Sequence, residues 1–296
     1  MKKTTLLRKL IFDEDILVMP GCHDALSARI VEQAGFKAVT IGSFAPSACL
    51  LGKPDASLIT LTEVITHVRN IVEAVDIPVF ADGDTGHGNV SNVIRTTREF
   101  EKAGVAGFFL EDQVFPKRCG HTEGKQVIPT EEMVVKIRAA VDTRIDPDLV
   151  IMARTDSLAI TGIDETINRV NKYSEAGADL IFIEAVTTEN EMRKSIREVN
   201  APVMASMIEG GKTPIFTVTE LQDIGYSTVV YPLSTMFVSA WAVKELMEEL
   251  YKTGTTTSFM DKMILFDDFM KLVKLDKLRQ TEDFYYKDLG RNTSKF

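Results

Sequence analysis

The chain has 296 residues, 45% of them hydrophobic, so it can bury one large core or two smaller ones. A net charge of −9 and the lack of any Lys/Arg-rich run argue against nucleic acid or an anionic membrane surface as a partner. The cysteines, Cys22, Cys49 and Cys119, are widely spaced and odd in number, which favours a reducing compartment. The basic start lacks the apolar core of a signal peptide and no apolar run is long enough to span a membrane. We therefore expect a soluble, cytoplasmic protein.

Short apolar segments alternate with amphipathic ones along the whole chain. The short apolar runs predict eight strands: Ile16–Pro20, Ala38–Gly42, Ile77–Ala81, Gly107–Leu110, Leu149–Ala153, Leu180–Ile183, Pro202–Met207 and Thr228–Pro232. The amphipathic stretches predict helices: Asp24–Ala34, Thr62–Ala74, Ser91–Ala103, Thr130–Thr143, Asp164–Ala176, Glu189–Val199, Thr219–Ile224 and Ser234–Thr253. Several helices close on an Ala-Gly pair, where Gly supplies a left-handed cap.

Eight strand–helix units predict a (β/α)8 barrel, with a doubly wound open sheet as the alternative. The sequence has no linker-like segment, so we expect one domain over 1–296, with 254–296 as a C-terminal helical extension. Within that extension, Ser258–Lys277 reads as one long amphipathic helix that a barrel does not need. Such a helix packs on a neighbour, which favours an oligomer. The final polar residues, 288–296, are expected to fray.

The third predicted strand runs directly into two carboxylates. Asp82 and Asp84 flank Gly83, and Gly86 and Gly88 follow, so the sheet must stop and the backbone must turn here. Paired carboxylates at a strand end are a hard oxygen site suited to Mg²⁺ or Mn²⁺. A plain acidic turn is the alternative for this motif taken alone.

Other strand ends carry polar groups that would meet the aspartates at one end of a barrel. They are Gly42, Ser43, Phe44 and Asp55 after strand two, Glu111 after strand four, Arg154 after strand five, Glu184 after strand six and Glu209 after strand seven. Taken singly, Glu111 or Glu184 could form an ordinary ion pair with Arg154 at the rim of the barrel. Together, an acidic cluster around one arginine favours a metal and an anionic substrate.

A polar loop follows the fourth strand and contains Lys117-Arg-Cys-Gly-His121. The neighbouring cations and His121 should ease formation of the Cys119 thiolate and allow proton transfer. The alternative is an exposed basic loop with an incidental cysteine. Cys22 and Cys49 lie in apolar or small-residue surroundings and read as packing residues. His87 is a weaker metal-ligand candidate than the carboxylates, because Mg²⁺ prefers oxygen.

Six motifs in the same order resemble the isocitrate lyase/phosphoenolpyruvate mutase superfamily, within its methylisocitrate lyase and 2,3-dimethylmalate (2-alkylmalate) lyase branches. They are Leu51-Gly-Lys-Pro-Asp55, Asp82-Gly-Asp-Thr-Gly86, Glu111-Asp-Gln113, Lys117-Arg-Cys-Gly-His121, Met152-Ala-Arg-Thr-Asp156 and Ile208-Glu-Gly-Gly-Lys-Thr-Pro214.

The resemblance implies a (β/α)8 barrel whose last helix is exchanged between subunits, in a homotetramer built as a dimer of dimers. It also implies Mg²⁺ held by Asp82, directly or through water, with Asp55, Asp84 and Glu111 in its water shell. The implied catalytic residues are Cys119 as general acid on a mobile gating loop, Arg154 as the carboxylate-binding group, and Glu111. The implied substrate-binding residues are Arg154, the backbone N–H groups of Gly42, Ser43 and Phe44, and Gly120, His121, Glu184, Ser206, Glu209 and Phe237.

The resemblance implies a Mg²⁺-dependent carbon–carbon lyase that cleaves a 2-hydroxy dicarboxylate to a 2-oxo acid and a carboxylic acid. Three departures from the family pattern narrow the substrate, and a 2-alkylmalate such as 2,3-dimethylmalate is the best candidate. Phe237 stands where methylisocitrate lyases carry an Arg for a third carboxylate, Ser206 replaces their Asn, and Gly42-Ser43-Phe44 replaces the usual Ser-Gly-aromatic order. Phe44 has no hydroxyl, so the general base stays open. Methylisocitrate lyase, oxaloacetate hydrolase and a non-catalytic dicarboxylate-binding barrel are the alternatives.

Overall fold

The computed structural model of the chain describes residues 1–287. Eight parallel strands form one sheet in the order β1-β8-β7-β6-β5-β4-β3-β2. The strands are β1 (Leu17–Pro20), β2 (Val39–Ile41), β3 (Val79–Asp82), β4 (Gly107–Glu111), β5 (Val150–Thr155), β6 (Leu180–Ile183), β7 (Val203–Ser206) and β8 (Thr228–Tyr231). All eight predicted strands are therefore present.

The helices are α1 (Lys3–Ile11), α2 (Ala25–Gln33), α3 (Phe44–Leu51), α4 (Leu61–Ala74), α5 (Val90–Ala103), α6 (Thr130–Thr143), α7 (Leu158–Thr161), α8 (Ile163–Glu175), α9 (Glu189–Glu198), α10 (Val218–Ile224), α11 (Ser234–Thr253), α12 (Phe266–Leu272) and α13 (Leu275–Tyr286). The predicted Ala-Gly caps are confirmed, since the glycine of each pair has a left-handed backbone, as at Gly35, Gly104 and Gly177. Helices α1, α3 and α7 were not predicted. Among residues 1–287, none of these helices has the length and apolar character needed to cross a bilayer.

The first and last strands close the sheet into a barrel. Strand β1 pairs with β8 along its whole length, from Leu17 opposite Thr228 to Pro20 opposite Tyr231. Between β1 and β2 the closure is a single bridge, in which the Cys22 N–H donates to the Thr40 carbonyl oxygen at 2.9 Å. The predicted (β/α)8 barrel is confirmed, and the alternative of an open doubly wound sheet is wrong.

Alternate residues of each strand point into the barrel or out towards the helices. In β3, Val79 and Ala81 pack outward in the layer beneath the helices, whereas Phe80 belongs to the apolar interior. Helix α1 adds Leu7 and Ile11 to that interior, where both are essentially fully buried. Asp82, the next residue of β3 on the inward side after Phe80, lines the cavity described below.

Packing between β3, β4 and β5 leaves no room for a side chain at Gly107. A Cβ there would lie 2.8 Å from the Val150 Cβ and 2.9 Å from a ring carbon of Phe80. We expect Gly107→Ala to lower the free energy of unfolding by about 1–3 kcal/mol, the usual cost of overpacking. Urea unfolding would measure it. Gly42→Ala is the matched control, because its Cβ would come no closer than 3.8 Å to another group. Equal losses in the two variants would contradict the packing argument.

The chain divides into two compact units, the first over Met1–Met236 and the second starting at Phe237. In the second unit, the prediction of one long helix over Ser258–Lys277 is wrong. A 3₁₀ helix over Thr257–Lys262 gives way to an extended Met263, and α12 and α13 are separated by Lys274, whose backbone is left-handed. The predicted fraying of 288–296 lies outside the described residues. The single domain with an extension from 254, and the exchange of the last helix between subunits, stay predictions.

Candidate active site

A cavity of about 80 Å³ lies at the carboxyl ends of the strands, within the first unit. Its floor is the apolar interior of the barrel, including Phe80, Phe109 and Phe182. Its polar lining comprises residues that the sequence singled out at separate strand ends: Gly42, Asp55, Asp82, Cys119, Gly120, His121, Arg154, Glu184 and Ser206. The barrel therefore brings most of the predicted site together.

Lys117 lies at the centre of the predicted acidic cluster. Its ammonium group is 2.7 Å from Asp55 Oδ2, 2.8 Å from Asp84 Oδ1 and 2.7 Å from Ser43 Oγ. Burial alone would lower the pKa of this lysine, but the surrounding carboxylates, Asp84 first among them, outweigh burial and raise the pKa well above its ordinary value. Lys117 is therefore a buried, charged member of the site. The sequence pattern predicted only that Lys117 acts as a cation near Cys119, and not that it pairs with the strand-end carboxylates.

Asp82 and Asp84 differ in their electrostatic surroundings. Burial, followed by the neighbouring charge of Asp84, raises the pKa of Asp82 to about 6, although Asp82 accepts hydrogen bonds from the backbone N–H groups of Ser43 and Asp84. Burial would also raise the pKa of Asp84, but the Lys117 ammonium outweighs it and the pKa is lowered. Thus the Ser43 N–H helps to position Asp82, and its predicted contact with the substrate stays a prediction.

Arg154 is held by carboxylates on three sides. Its Nε and Nη2 donate to the two oxygens of Asp156 at 2.9 and 3.2 Å, and its Nη2 also lies 2.9 Å from Glu184 Oε2. Glu111 Oε2 is 3.4 Å from Nε. Its guanidinium carbon lies 5.4 Å from the centre of the Phe182 ring and 5.7 Å from that of Phe109. The guanidinium is thus fixed in position at the base of the cavity.

Cys119 is half-buried on the loop that follows β4. Burial raises the pKa of its thiol; a backbone hydrogen bond involving His121 lowers it in part, and the charges of Asp55 and Glu184 add to the rise. The expectation that this environment eases thiolate formation is therefore wrong. The thiol stays protonated at neutral pH, which suits a proton donor better than a nucleophile.

His121 and Gly120 join the same loop to the end of β6. The Lys212 backbone N–H donates to His121 Nδ1 at 2.9 Å, so the proton of a neutral imidazole lies on Nε2, which is 3.2 Å from Glu184 Oε1. A Cβ at Gly120 would come within 2.4 Å of Arg154 Nη2 and 2.6 Å of Glu184 Oε2. Only glycine fits this position.

Two further residues with buried side chains, Lys125 and Asp156, complete the charge network, and of the two only Asp156 belongs to a strand end that was predicted to converge. Lys125 Nζ donates to Asp156 Oδ1 at 3.0 Å and to the Gly120 carbonyl oxygen at 2.6 Å. Asp156 thereby connects Arg154 to the loop. Asp156 ends the motif Met152-Ala-Arg-Thr-Asp156, and Lys125 lies four residues after the motif that ends at His121. The sequence therefore indicated that both lie near the site, but not that they pair with each other.

One predicted residue lies elsewhere. The Glu209 side chain is exposed and accepts a hydrogen bond from Ser234 Oγ, so it does not line the cavity. It sits in the Glu-Gly-Gly turn, which carries it out to solvent. Phe237 is the first residue of the second unit and is 39% exposed there. Its predicted role in substrate choice stays a prediction.

The carboxylates at the strand ends have the chemistry that a hard cation requires. Both oxygens of Glu111 are buried and accept no hydrogen bond from residues 1–287, although Oε2 lies 3.4 Å from Arg154 Nε. Leaving them without a hydrogen-bond donor is costly unless a further cation or its water faces them. Over the same residues, no three His, Cys, Asp or Glu side chains are arranged to bind one ion directly. By the chemistry of their donors, Asp82, Asp84 and Glu111 fit a hard cation such as Mg²⁺.

The chain is similar to known proteins over almost its whole length. The family model described as phosphoenolpyruvate phosphomutase matches residues 7–251. The 2,3-dimethylmalate lyase of Eubacterium barkeri is 45% identical over 285 residues, which are 96% of this chain and 99% of that protein. The 2-methylisocitrate lyase of Aeropyrum pernix is 41% identical over 268 residues, which are 90% of this chain and 86% of that protein.

A solved structure gives the same result for the fold. Oxaloacetate acetylhydrolase in complex with 3,3-difluorooxalacetate superposes with a TM-score of 0.92 at 30% identity, and the match covers 96% of this chain and 97% of the other. Barrel, motifs and matches all agree with the resemblance seen in the sequence. The chain therefore belongs to the phosphoenolpyruvate mutase/isocitrate lyase superfamily.

Proposed function

We propose that this chain is a Mg²⁺-dependent lyase that cleaves a 2-alkylmalate, with 2,3-dimethylmalate as the best candidate. The products would be pyruvate and propionate. The carbon–carbon lyase class agrees with the relatives named as lyases. The substrate, the metal, a cytoplasmic location and a homotetramer of helix-swapped dimers belong to the proposal.

The proposed substrate is inferred from the arrangement of charge in the cavity. Among the described residues that line it, the permanent cations are Lys117 and Arg154, and protein carboxylates already pair with both. The wall beyond the strand ends is apolar, formed by Phe44, Ile208 and Leu233, which pack in one cluster. A third substrate carboxylate against this wall would be buried without a partner, which is costly, whereas a methyl group fits it.

The chain's own residues account for binding and for one proton. Arg154, fixed by Asp156, would hold a substrate carboxylate in the cavity. When bound at Asp82, Mg²⁺ supplies Lewis-acid stabilisation of oxygen charge at C2 of the substrate. Transfer of the hydroxyl proton to a general base and cleavage of the C2–C3 bond yield the 2-oxo acid and leave the bonding electron pair on C3. The Cys119 thiol would then donate its proton to C3, which completes the carboxylic acid.

A substrate panel tests the proposal. We expect kcat/KM for 2,3-dimethylmalate to exceed that for 2-methylisocitrate by roughly tenfold to more than a hundredfold, since a missing charge-assisted contact costs about 1.5–3 kcal/mol. The measurement is release of the 2-oxo acid with Mg²⁺ present. Phe237→Arg supplies a cation for a third carboxylate, so it should narrow the difference in kcat/KM between the two substrates. Phe237→Leu keeps the position apolar and should leave that difference unchanged.

The same panel separates the alternatives. A wild-type protein that cleaves 2-methylisocitrate at least as well as 2,3-dimethylmalate would refute the choice of substrate. If the protein produces oxalate and acetate from oxaloacetate faster than it cleaves 2,3-dimethylmalate, it is a hydrolase instead.

A further inference from the structure

The loop after β4 is attached to the barrel through two buried lysines that have different partners. Lys117 binds Asp55 and Asp84, two of the carboxylates assigned above to the water shell of the metal. Lys125 binds Asp156, which instead holds Arg154. The two lysine side chains are almost equally buried, with 3% and 4% exposed. The loop thus has one anchor inside the cation site and one beside it.

We propose that Lys117 acts as a built-in competitor of the divalent cation, so that metal binding and attachment of the loop through Lys117 oppose each other. This inference rests on the proposed metal site. The ammonium group of Lys117 and a divalent cation near Asp82 are both attracted by Asp55 and Asp84, and they repel each other at short range in a buried site.

The coupling must be reciprocal, because linkage between two binding events acts equally in both directions. Lys117 weakens the binding of the cation, and the cation weakens the hold of Lys117 on the barrel. The other attachments, from His121 to Glu184 and from Lys125 to Asp156, do not involve these carboxylates. The metal therefore loosens the start of the loop and leaves its far end in place.

Calorimetric titration with Mg²⁺ at fixed ionic strength tests the first direction. We expect Lys117→Met, which removes the charge and keeps the apolar stem, to bind Mg²⁺ at least about tenfold more tightly than the wild type. Lys125→Met is the matched control, since it also removes a buried loop anchor but leaves Asp55 and Asp84 paired. Its affinity should change by less than about twofold. Thermal unfolding by circular dichroism checks that both variants fold.

Several results would overturn the inference. Unchanged or weaker Mg²⁺ binding by Lys117→Met would do so, and an equal gain in Lys125→Met would show that loop release, and not charge, governs affinity. If no protein of the three binds Mg²⁺, the metal site itself fails along with the inference. If Mg²⁺ behaves as expected but no alkylmalate is cleaved, the substrate proposal fails and the inference stands.

Hydrogen exchange on the wild type tests the other direction without any variant. The Lys117 N–H donates to Ser57 Oγ at 3.0 Å, and the Arg118 N–H donates to Gln113 Oε1 at the same distance. Mg²⁺ should speed exchange of these amides at least about threefold, while amides of α6, which lies outside the loop, stay unchanged. Slower or unchanged exchange at Lys117 with saturating Mg²⁺ would overturn the proposal.

Discussion

Asp82→Ala is expected to abolish measurable turnover and to weaken Mg²⁺ binding, while the fold survives. Asp82 is the carboxylate at the strand end that lies between the Ser43 and Asp84 N–H groups. Its pKa of about 6 lies above the ordinary value of 3.8, so the native state binds this proton more tightly than the unfolded chain does. The ionised carboxylate therefore costs stability above about pH 6, and the cost is relieved as the pH falls from about 6 towards 4. Its removal at pH 7 should consequently be tolerated.

The measurements for Asp82→Ala are calorimetry with Mg²⁺, steady-state kinetics and thermal unfolding. Asp164→Ala is the control, because its side chain is 83% exposed and pairs with Lys194 on the outer surface. That variant should keep wild-type activity. Full activity of the wild type in excess EDTA would contradict the metal assignment.

Cys119→Ser and Cys119→Ala are expected to lower kcat by roughly two orders of magnitude or more, the usual contribution of a positioned general acid. The thiol lies in the lining of the cavity, and its raised pKa keeps the proton that must be delivered. A serine hydroxyl is a far weaker acid, so the conservative replacement should not rescue the rate.

The other two cysteines provide the controls for Cys119. Cys22 is buried, so Cys22→Ser should cost stability by placing a hydroxyl among apolar groups, with little effect on kcat. Cys49 is exposed, and Cys49→Ser should change neither property much. Similar losses of kcat in all three variants would show that Cys119 has no special role.

The barrel was predictable because its signals are local and repeat eight times. Each strand is a short apolar run, and each Ala-Gly pair marks a helix end that the structure confirms. The convergence of Asp82 and Arg154 on one cavity, with Glu111 3.4 Å from the Arg154 guanidinium, followed from topology, since parallel strands in a barrel end at the same face. These predictions needed no knowledge of side-chain contacts.

The rest of the site depends on contacts between residues distant in the chain. Lys117 meets Asp55 across 62 positions, and nothing in the local pattern says that a loop lysine will turn inward. The pKa of Cys119 was predicted in the wrong direction because neighbours in sequence are cations, whereas burial and distant carboxylates dominate in space. The missed contact of Lys117 and the wrong direction for the Cys119 pKa both follow from tertiary contacts, which a local sequence pattern does not contain.

The prediction of one helix over Ser258–Lys277 failed for a different reason. Met260, Met263 and Phe266 recur at helical spacing, which favoured one continuous helix over Ser258–Lys277. The competing signal was Asp267-Asp268, since acidic residues stabilise the first turn of a helix, and α12 indeed starts just before them. Periodicity alone cannot detect such a restart.

The pairing of β1 with β8 also determines when the barrel can close during synthesis of the chain. Leu17 reaches its partner Thr228 only after almost the whole first unit has been synthesised. At the usual ribosomal rate of roughly 5–20 residues per second, that wait lasts on the order of 10–40 seconds. During it, the first strand keeps an open edge, and Leu7 and Ile11 lack the barrel that will enclose them. Closure of the barrel therefore depends on a contact between residues far apart in the chain, the kind of contact that slows folding and leaves strand edges exposed to aggregation until it forms.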